Sequence, residues 1–227
     1  MTEESNLTAE VRSRVNAIRN SLPQSIDVAA LGVKSKAPYQ LLCTREAVIW
    51  RTEELARNAC DALERDDFAA AAIMTRAVTE NAAMTWSLME LLENRSKYDA
   101  EQLNKLLMRR LAGSALWPES PKPVHVLDLL RKIDKRIPGV MASYDRLSEF
   151  VHPNWSGVAG LFSKIDKENF ITYFGRGLRN SDGSRDMIAN ALLGSLGTFE
   201  YAYNRISDLM PTFVAELESL WSDKREQ

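Results

Sequence analysis

The stretch "FAAAAIMTRAVTENAAMTWSLMELLEN", residues Phe68–Asn94, is the most apolar segment of the chain and decides its fold. Its large apolar residues recur at helical spacing, which predicts one long helix. Alanine and threonine lie on several sides of that helix, so neighbouring helices can approach it closely. The sequence therefore predicts that this helix stands at the centre of a helical bundle.

Further segments on both sides of this stretch also carry apolar residues at helical spacing. The predicted helices run over Thr8–Leu22, Tyr39–Arg65, Ala100–Ala112, Val124–Ile137, from Pro138 to His152, and over Ser184–Trp221, where Pro211 could kink or split the last one. Residues 1–37 are predicted to form a loosely attached helix and linker, serving as a mobile arm or a dimerisation element. Residues 38–222 then form the bundle domain, and residues 223–227 a disordered tail.

One segment has a residue pattern that is not helical. "GLFSKIDKENFITYFG" alternates apolar and polar residues around the polar turn "DKEN", which is typical of a β-hairpin. The expected strands cover roughly residues 161–165 and 170–174. The fold class predicted is therefore all-α, or mainly α: a helical bundle with one small β-hairpin near 161–174.

Composition narrows the classes of function. No segment approaches the ~20 apolar residues of a membrane span, and the polar N-terminus is not expected to be a secretory signal. Cys43 and Cys60 match no metal spacing and make no disulfide framework, which favours a reducing, cytoplasmic location. No metal, cofactor or membrane is expected. The net charge of −2 gives no global field that attracts nucleic acid. Residues 104–136 nevertheless carry eight Lys and Arg against three acids, which form either a solvated helix face or a phosphate-facing patch.

The stretch "YDRLSEFVHPNW", Tyr144–Trp155, carries the candidate chemistry. Arg can fork onto a phosphodiester, and His can exchange a proton near neutral pH. Arg146 and His152 are six positions apart, or about 240° on a regular helix, so their side chains diverge. They could converge if the last turn loosens, which Pro153 favours, or if a second subunit completes the site. The alternative is an ordinary helix end, where the histidine caps carbonyls and the arginine pairs with Glu149 or a neighbouring acid.

Two further groups of residues could support this motif. Tyr144, Ser148 and His152 fall on one face of the same helix. Arg76 and Glu80 lie four positions apart in the most apolar helix, where charged groups are costly unless they are partnered. They form either a structural ion pair or a pair that faces the same cleft as Tyr144.

The motif "YDRLSEFVHP", with the upstream "RAVTE" and the following hairpin, resembles the HEPN superfamily of helical bundles and a group of bacterial HEPN-like proteins. The signature of that superfamily is an arginine followed, after four to six residues, by a histidine near the end of a helix. The resemblance implies a dimer in which both subunits line a shared cleft. It implies that Arg146 contacts a phosphate and that His152 transfers a proton or orients a 2′-hydroxyl.

Many HEPN proteins are metal-independent endoribonucleases in toxin–antitoxin, phage-defence or RNA-processing systems, and others are binding or assembly modules. Two functions are therefore predicted. The first is a ribonuclease that acts on RNA as a homodimer, with or without a cognate partner protein. Its catalytic residues would be Arg146 and His152. Its supporting residues would be Tyr144, Ser148, Glu149, Asn154, Arg76 and Glu80. The alternative is a non-catalytic module that binds a partner protein, RNA or nucleotide; it stays open because Leu147 and Asn154 depart from the pattern of the nucleases.

Overall fold

A computed structural model describes residues 3–27, 29, 35–179 and 182–223, and side chains at most of these positions. Its elements follow in chain order: α1 (Glu3–Asn20), α2 (Ala37–Glu64), α3 (Phe68–Glu93), a 3-10 turn (Arg95–Lys97), α4 (Ala100–Leu111), α5 (Val126–Asp134), α6 (Val140–Val151), α7 (Ala159–Phe162), β1 (Ser163–Asp166), β2 (Ile171–Phe174) and α8 (Asp182–Asp223). The predicted helical bundle with one small antiparallel hairpin is confirmed.

Helix α3 stands at the centre of the bundle. It packs against α2, α4, α5, α6 and α8, and sixteen of its residues are buried. Small residues make these close approaches feasible, since Ala71, Ala72, Ala83 and Thr75 are fully enclosed. The apolar core extends from this helix towards both ends of the bundle. The segment Phe68–Asn94 thus forms the helix against which α2, α4, α5, α6 and α8 pack.

Helix α1 is part of the bundle, which corrects the expected loose attachment. Val11, Val15 and Ile18 are buried against α2 and α8. Nη2 of Arg12 also lies 2.7 Å from carboxylate oxygens of α2, those of Asp61 and Glu64. The apolar stripe on this helix therefore has a partner within the same chain. Residues 28 and 30–34 of the predicted linker, and residues 224–227 of the predicted disordered tail, lie outside the described residues.

Helix α6 begins later than predicted, because Pro138 does not form its first turn. Gly139 precedes the helix with a φ of +102°, a conformation that glycine adopts without steric cost. Oδ1 of Asp134, at the end of α5, accepts hydrogen bonds of 3.0 Å from the backbone N–H groups of Gly139 and Met141. The preceding helix therefore satisfies two amide groups that would otherwise lack partners at the start of α6.

Helix α8 continues through Pro211 and is not split. The hairpin pairs Ser163 with Phe174 and Asp166 with Ile171. Ser163 is the one buried residue of its two strands, and every residue of β2 is exposed. The hairpin therefore projects from the bundle. Among the described residues, no helix is long and apolar enough to cross a membrane.

Candidate functional site

Tyr144 joins the two charged residues of α3. Its hydroxyl oxygen accepts a hydrogen bond of 2.7 Å from Nη2 of Arg76 and donates one of 2.9 Å to Oε1 of Glu80. The guanidinium of Arg76 lies 4.9 Å from the centre of the Tyr144 ring and 3.6 Å from the Glu80 carboxylate. The structure thus brings together three of the residues that the sequence nominated, and it gives the partly buried charges of α3 a partner from α6.

Burial raises the pKa of the Tyr144 phenol above its ordinary value, and the hydrogen bond to Glu80 acts in the same direction. The phenol therefore stays protonated at neutral pH and remains a hydrogen-bond donor. A neutral phenol between a cation and an anion satisfies both without adding charge to the interface. This cluster fixes the angle of α6 against α3, and with it the position of the Arg146 and His152 helix end.

Arg146 and His152 occupy the exposed side of the same helix end. Both side chains are exposed, and neither forms a hydrogen bond or ion pair within the part of the chain that the structure describes. The backbone N–H of His152 still donates to the carbonyl of Ser148 at 3.0 Å. Its φ of −77° and ψ of 146° are nevertheless extended. The φ of His152 is close to the helical value, so its side chain keeps its place on the helix, about 240° round from Arg146. Its ψ turns only the chain that follows, as the next proline favours.

Glu149 is engaged with Asn154 rather than with Arg146. Its Oε2 accepts a hydrogen bond of 2.7 Å from Nδ2 of Asn154. The amide oxygen of Asn154 in turn accepts the backbone N–H of Gly157 at 3.0 Å. The pairing of Arg146 with Glu149 that the alternative expected is therefore absent among the described residues. Glu149 and Asn154 instead shape the turn that follows His152.

Ser148 contributes less than its place on the helix face suggested. Its hydroxyl donates to the carbonyl of Tyr144, 2.9 Å away on the preceding turn. Such a bond lies within one helix and leaves the oxygen lone pairs of the side chain available as acceptors. Ser148 thus lies between the Tyr144 cluster and His152 without joining them directly.

Gly157 and Trp155 are residues of this region that sequence reasoning missed. A Cβ on Gly157 would lie 2.2 Å from the carbonyl oxygen of His152 and 2.8 Å from that of Phe150, so only glycine fits. Trp155 is 65% exposed, and the guanidinium of Arg179 lies 5.2 Å from its ring. A glycine in the turn after the histidine is the sequence signal that could have revealed Gly157. No local pattern indicated that Trp155 is exposed.

The basic stretch, residues 104–136 with their eight Lys and Arg, is mostly engaged in local contacts. Five of its eight basic side chains have partners: Lys105 with Glu101, Arg109 with the carbonyls of Lys122 and Pro123, Arg110 with Ser87, Arg131 with Asp128, and Arg136 with Glu90 and Glu93. Burial also lowers the pKa of the Arg110 guanidinium to about 10. These contacts favour the solvated helix face over the phosphate-facing patch.

A cavity of about 230 Å³ lies between α3, α5, α6 and α8, away from Arg146 and His152. Its polar lining includes Thr79, Ser143, Asn190 and Ser195. The hydroxyls of Thr79 and Ser195 are 2.8 Å apart and satisfy one another. Among the described residues, no group of three or more His, Cys, Asp or Glu could hold a metal ion.

Comparisons with protein-family models, with curated proteins and with solved structures found no match to this chain.

Proposed function

We propose that the chain is a metal-independent endoribonuclease that uses Arg146 and His152, in the manner of the HEPN proteins its motif resembles. The observation that carries the proposal is the state of these two side chains. Both are exposed and unpaired among the described residues, while the acid beside them is engaged by Asn154. A cation and an imidazole left available at a helix end suit a phosphodiester substrate.

The reaction is an internal transesterification. The 2′-hydroxyl of the RNA attacks the adjacent phosphorus, a bond forms between O2′ and phosphorus, and the bond from phosphorus to O5′ breaks. The products are a 2′,3′-cyclic phosphate and a 5′-hydroxyl, so that the proton lost by O2′ is balanced by one gained at O5′. His152 would move one of these protons, and Arg146 would bind the non-bridging phosphate oxygens.

The Tyr144 cluster would act at a distance from the substrate. Tyr144 is hydrogen-bonded to both Arg76 and Glu80, so we assign the three residues to positioning α6 rather than to proton transfer. Ser148 and Asn154 would hold the backbone on either side of His152. In this proposal the reacting groups of one subunit are therefore limited to Arg146 and His152.

The proposal is tested by assaying RNA cleavage in EDTA with His152→Ala and Arg146→Ala. Loss of a general acid or base costs about 10²–10⁴ in rate, and we expect His152→Ala to fall in that range. Loss of charge-assisted hydrogen bonds worth about 1.5–3 kcal/mol predicts a fall of roughly 10–150-fold for Arg146→Ala. His125→Ala and Arg131→Ala remove the other histidine and another exposed arginine, and they should cleave at the wild-type rate.

The second candidate is a non-catalytic helical module that binds RNA, nucleotide or a partner protein. It is favoured by the ion pairs of Lys105, Arg131 and Arg136, which engage three of the eight basic side chains within residues 104–136 and so reduce the charge available to a substrate. The same assay separates the two. RNA that stays intact with wild-type protein, but binds in an Arg146-dependent manner, would support the module and oppose the ribonuclease.

A further inference from the structure

The cavity of about 230 Å³ between α3, α5, α6 and α8 is larger than the voids of a well-packed interior. An engineered apolar cavity of about 150 Å³ is already large enough to admit benzene. The lining combines buried residues, such as Ala82 and Ile133, with exposed ones, such as Pro138 and Gly194. The cavity therefore runs from the core to the surface, and a small molecule can enter it from solvent.

The cavity stays open because small residues of α8 face the corner between α5 and α6. On α8 these are Ala191, Gly194 and Ser195. A Cβ added to Gly194 would have no other atom within 4 Å, so the chain itself does not fill the space beside it. The corner contributes Gly139, where an added Cβ would also meet nothing within 4 Å. Both sides of the cavity thus leave room for another molecule.

Two buried hydroxyls form the polar part of its floor. Thr79 is 5% exposed and Ser195 is 7% exposed. The hydroxyl of Thr79 donates a hydrogen bond of 3.0 Å to the carbonyl of Thr75. A hydroxyl has only one proton, so in the 2.8 Å contact with Ser195 the Thr79 oxygen accepts and Ser195 donates. The oxygen of Ser195 therefore has its proton engaged and lone pairs left to accept a hydrogen bond.

The other polar groups on α8 also have donors engaged within the helix. The hydroxyl of Thr198 donates to the carbonyl of Gly194 at 2.9 Å. Nδ2 of Asn190 donates to the carbonyl of Asp186 at 2.8 Å, which leaves the amide oxygen of Asn190 as an acceptor. On the opposite wall, the hydroxyl of Ser143 can donate or accept. Among the described residues that line the cavity, none is charged.

We infer that this cavity binds a small neutral molecule that has an apolar ring body and at least one N–H or O–H donor. The donor would pair with the acceptor oxygens of the floor, and the ring would cover the apolar wall of Ile133, Ile137 and Val140, which water cannot satisfy. A charged ligand would lose its hydration without meeting an opposite charge. Few polar groups within a largely apolar lining are typical of small-molecule sites. Neither Arg146 nor His152 lines the cavity, so the inference goes beyond the proposed function.

The probes for testing it are indole and indene, two bicyclic molecules of the same shape of which only indole carries an N–H. Binding is measured by titration, from the broadening of the probe signals in proton NMR spectra. Wild-type protein should bind indole roughly 2–12-fold more tightly than indene, which is the gain that one net hydrogen bond supplies. Indole-2-carboxylate should not bind, because its charge meets no cation in the described lining.

Gly194→Leu is designed to fill the cavity, and it should abolish measurable binding of both probes. Gly197→Leu is the matched control. It makes the same substitution three residues further along α8, also where an added Cβ meets nothing within 4 Å, but outside the lining. It should bind both probes as wild type does. Ser195→Ala removes an acceptor without filling the space, so it should keep indene binding and lose the preference for indole. That second variant keeps the test decisive if circular dichroism shows that Gly194→Leu is misfolded.

The inference is overturned if wild-type protein binds neither probe up to the solubility limit of each. Undiminished binding by a folded Gly194→Leu would place the probes elsewhere on the protein and would overturn it as well. Equal affinities for indole and indene, or tight binding of indole-2-carboxylate, would contradict an uncharged cavity lined by acceptors. Cleavage of RNA enters none of these measurements, so their outcome is independent of the proposed function.

Discussion

The hydroxyl of Tyr144 donates a 2.9 Å hydrogen bond to the carboxylate of Glu80, across the contact between α6 and α3. Because Arg76 donates to the same hydroxyl, a single phenol satisfies a cation and an anion within the most apolar helix of the bundle. The helix end with Arg146 and His152 is therefore held by a polar contact on its inner side and left open on its outer side.

The first prediction concerns this contact. Tyr144→Phe removes the hydroxyl and leaves Arg76 and Glu80 with only their long mutual contact. We expect the free energy of unfolding to fall by about 1–2 kcal/mol, since both partners are charged but only partly buried. For a chain of this size that lowers the thermal midpoint by about 2–8 °C.

Tyr201→Phe provides the control for this experiment. The hydroxyl of Tyr201 has no hydrogen-bond partner among the described residues. Its ring, whose centre lies 5.6 Å from that of Trp86, is kept by the substitution. Its thermal midpoint should not change. Equal midpoints for wild type and Tyr144→Phe would show that the phenol does not hold α6 in place.

The second prediction concerns Gly157, in the turn after His152. A methyl group at this position would overlap the carbonyl oxygen of His152, so Gly157→Ala must displace that turn. We expect a loss of about 1–3 kcal/mol, as for other cases of overpacking. Gly197→Ala should act in the opposite direction, because nothing lies within 4 Å of its added methyl and alanine is the better helix former. Urea unfolding of the two variants measures both effects, and a neutral Gly157→Ala would contradict the geometry.

The third prediction is a dependence of stability on pH through Cys60. Burial raises the pKa of this thiol to about 11, above its ordinary value of 9.0. The folded chain then keeps the thiol proton between pH 9 and 11 while the unfolded chain loses it. Because the unfolded state binds fewer protons in that window, stability falls as the pH rises. The shift corresponds to roughly 2–3 kcal/mol between pH 8 and 11.

Cys60→Ala isolates this contribution. The variant is less stable at pH 8 because it leaves a small cavity, but its stability should decrease less steeply between pH 8 and 11. Urea unfolding at several pH values gives both slopes. Parallel curves for wild type and variant would mean that the thiol does not titrate as its burial implies.

Much of this fold could be predicted because its signals are local. The apolar pattern of Phe68–Asn94 and the alternation around the "DKEN" turn each specify an element without reference to the rest of the chain. The boundary of α6 could not be predicted, because Asp134 caps it from a different helix. The burial of α1 depends likewise on partners in α2 and α8, which no local pattern reveals.

In the candidate site, likewise, some features could be predicted from local sequence signals and others could not. The spacing of Arg146 and His152 is visible in the sequence, and so is the proline that ends the helix. The pairing of Glu149 with Asn154 depends on the path of the turn after that proline, so sequence spacing suggested Arg146 as the partner instead. The alternating pattern identified the hairpin, but the same pattern is compatible with a covered face, so it could not indicate that Phe174 is exposed.

The fourth prediction follows from a site shared between subunits. Arg146→Ala alone should be slowed roughly 10–150-fold and His152→Ala alone about 10²–10⁴-fold. After the two are mixed and allowed to exchange, half of the dimers carry both variants, and one of their two sites regains an intact arginine and histidine. Activity should recover to about a quarter of the wild-type rate. If a mixture shown to contain heterodimers recovers no activity, then either each site takes both of its residues from one subunit, or activity requires both arginines and both histidines of the dimer.

The most direct test of the central claim is the chemistry of the cleaved ends. Wild-type protein is incubated in EDTA with a labelled RNA oligonucleotide and with the same oligonucleotide carrying 2′-O-methyl groups. The account predicts 2′,3′-cyclic phosphate and 5′-hydroxyl ends from the first substrate, no cleavage of the second, and loss of both products with His152→Ala. Intact RNA, ends that carry 5′-phosphate, or undiminished cleavage by His152→Ala would contradict it.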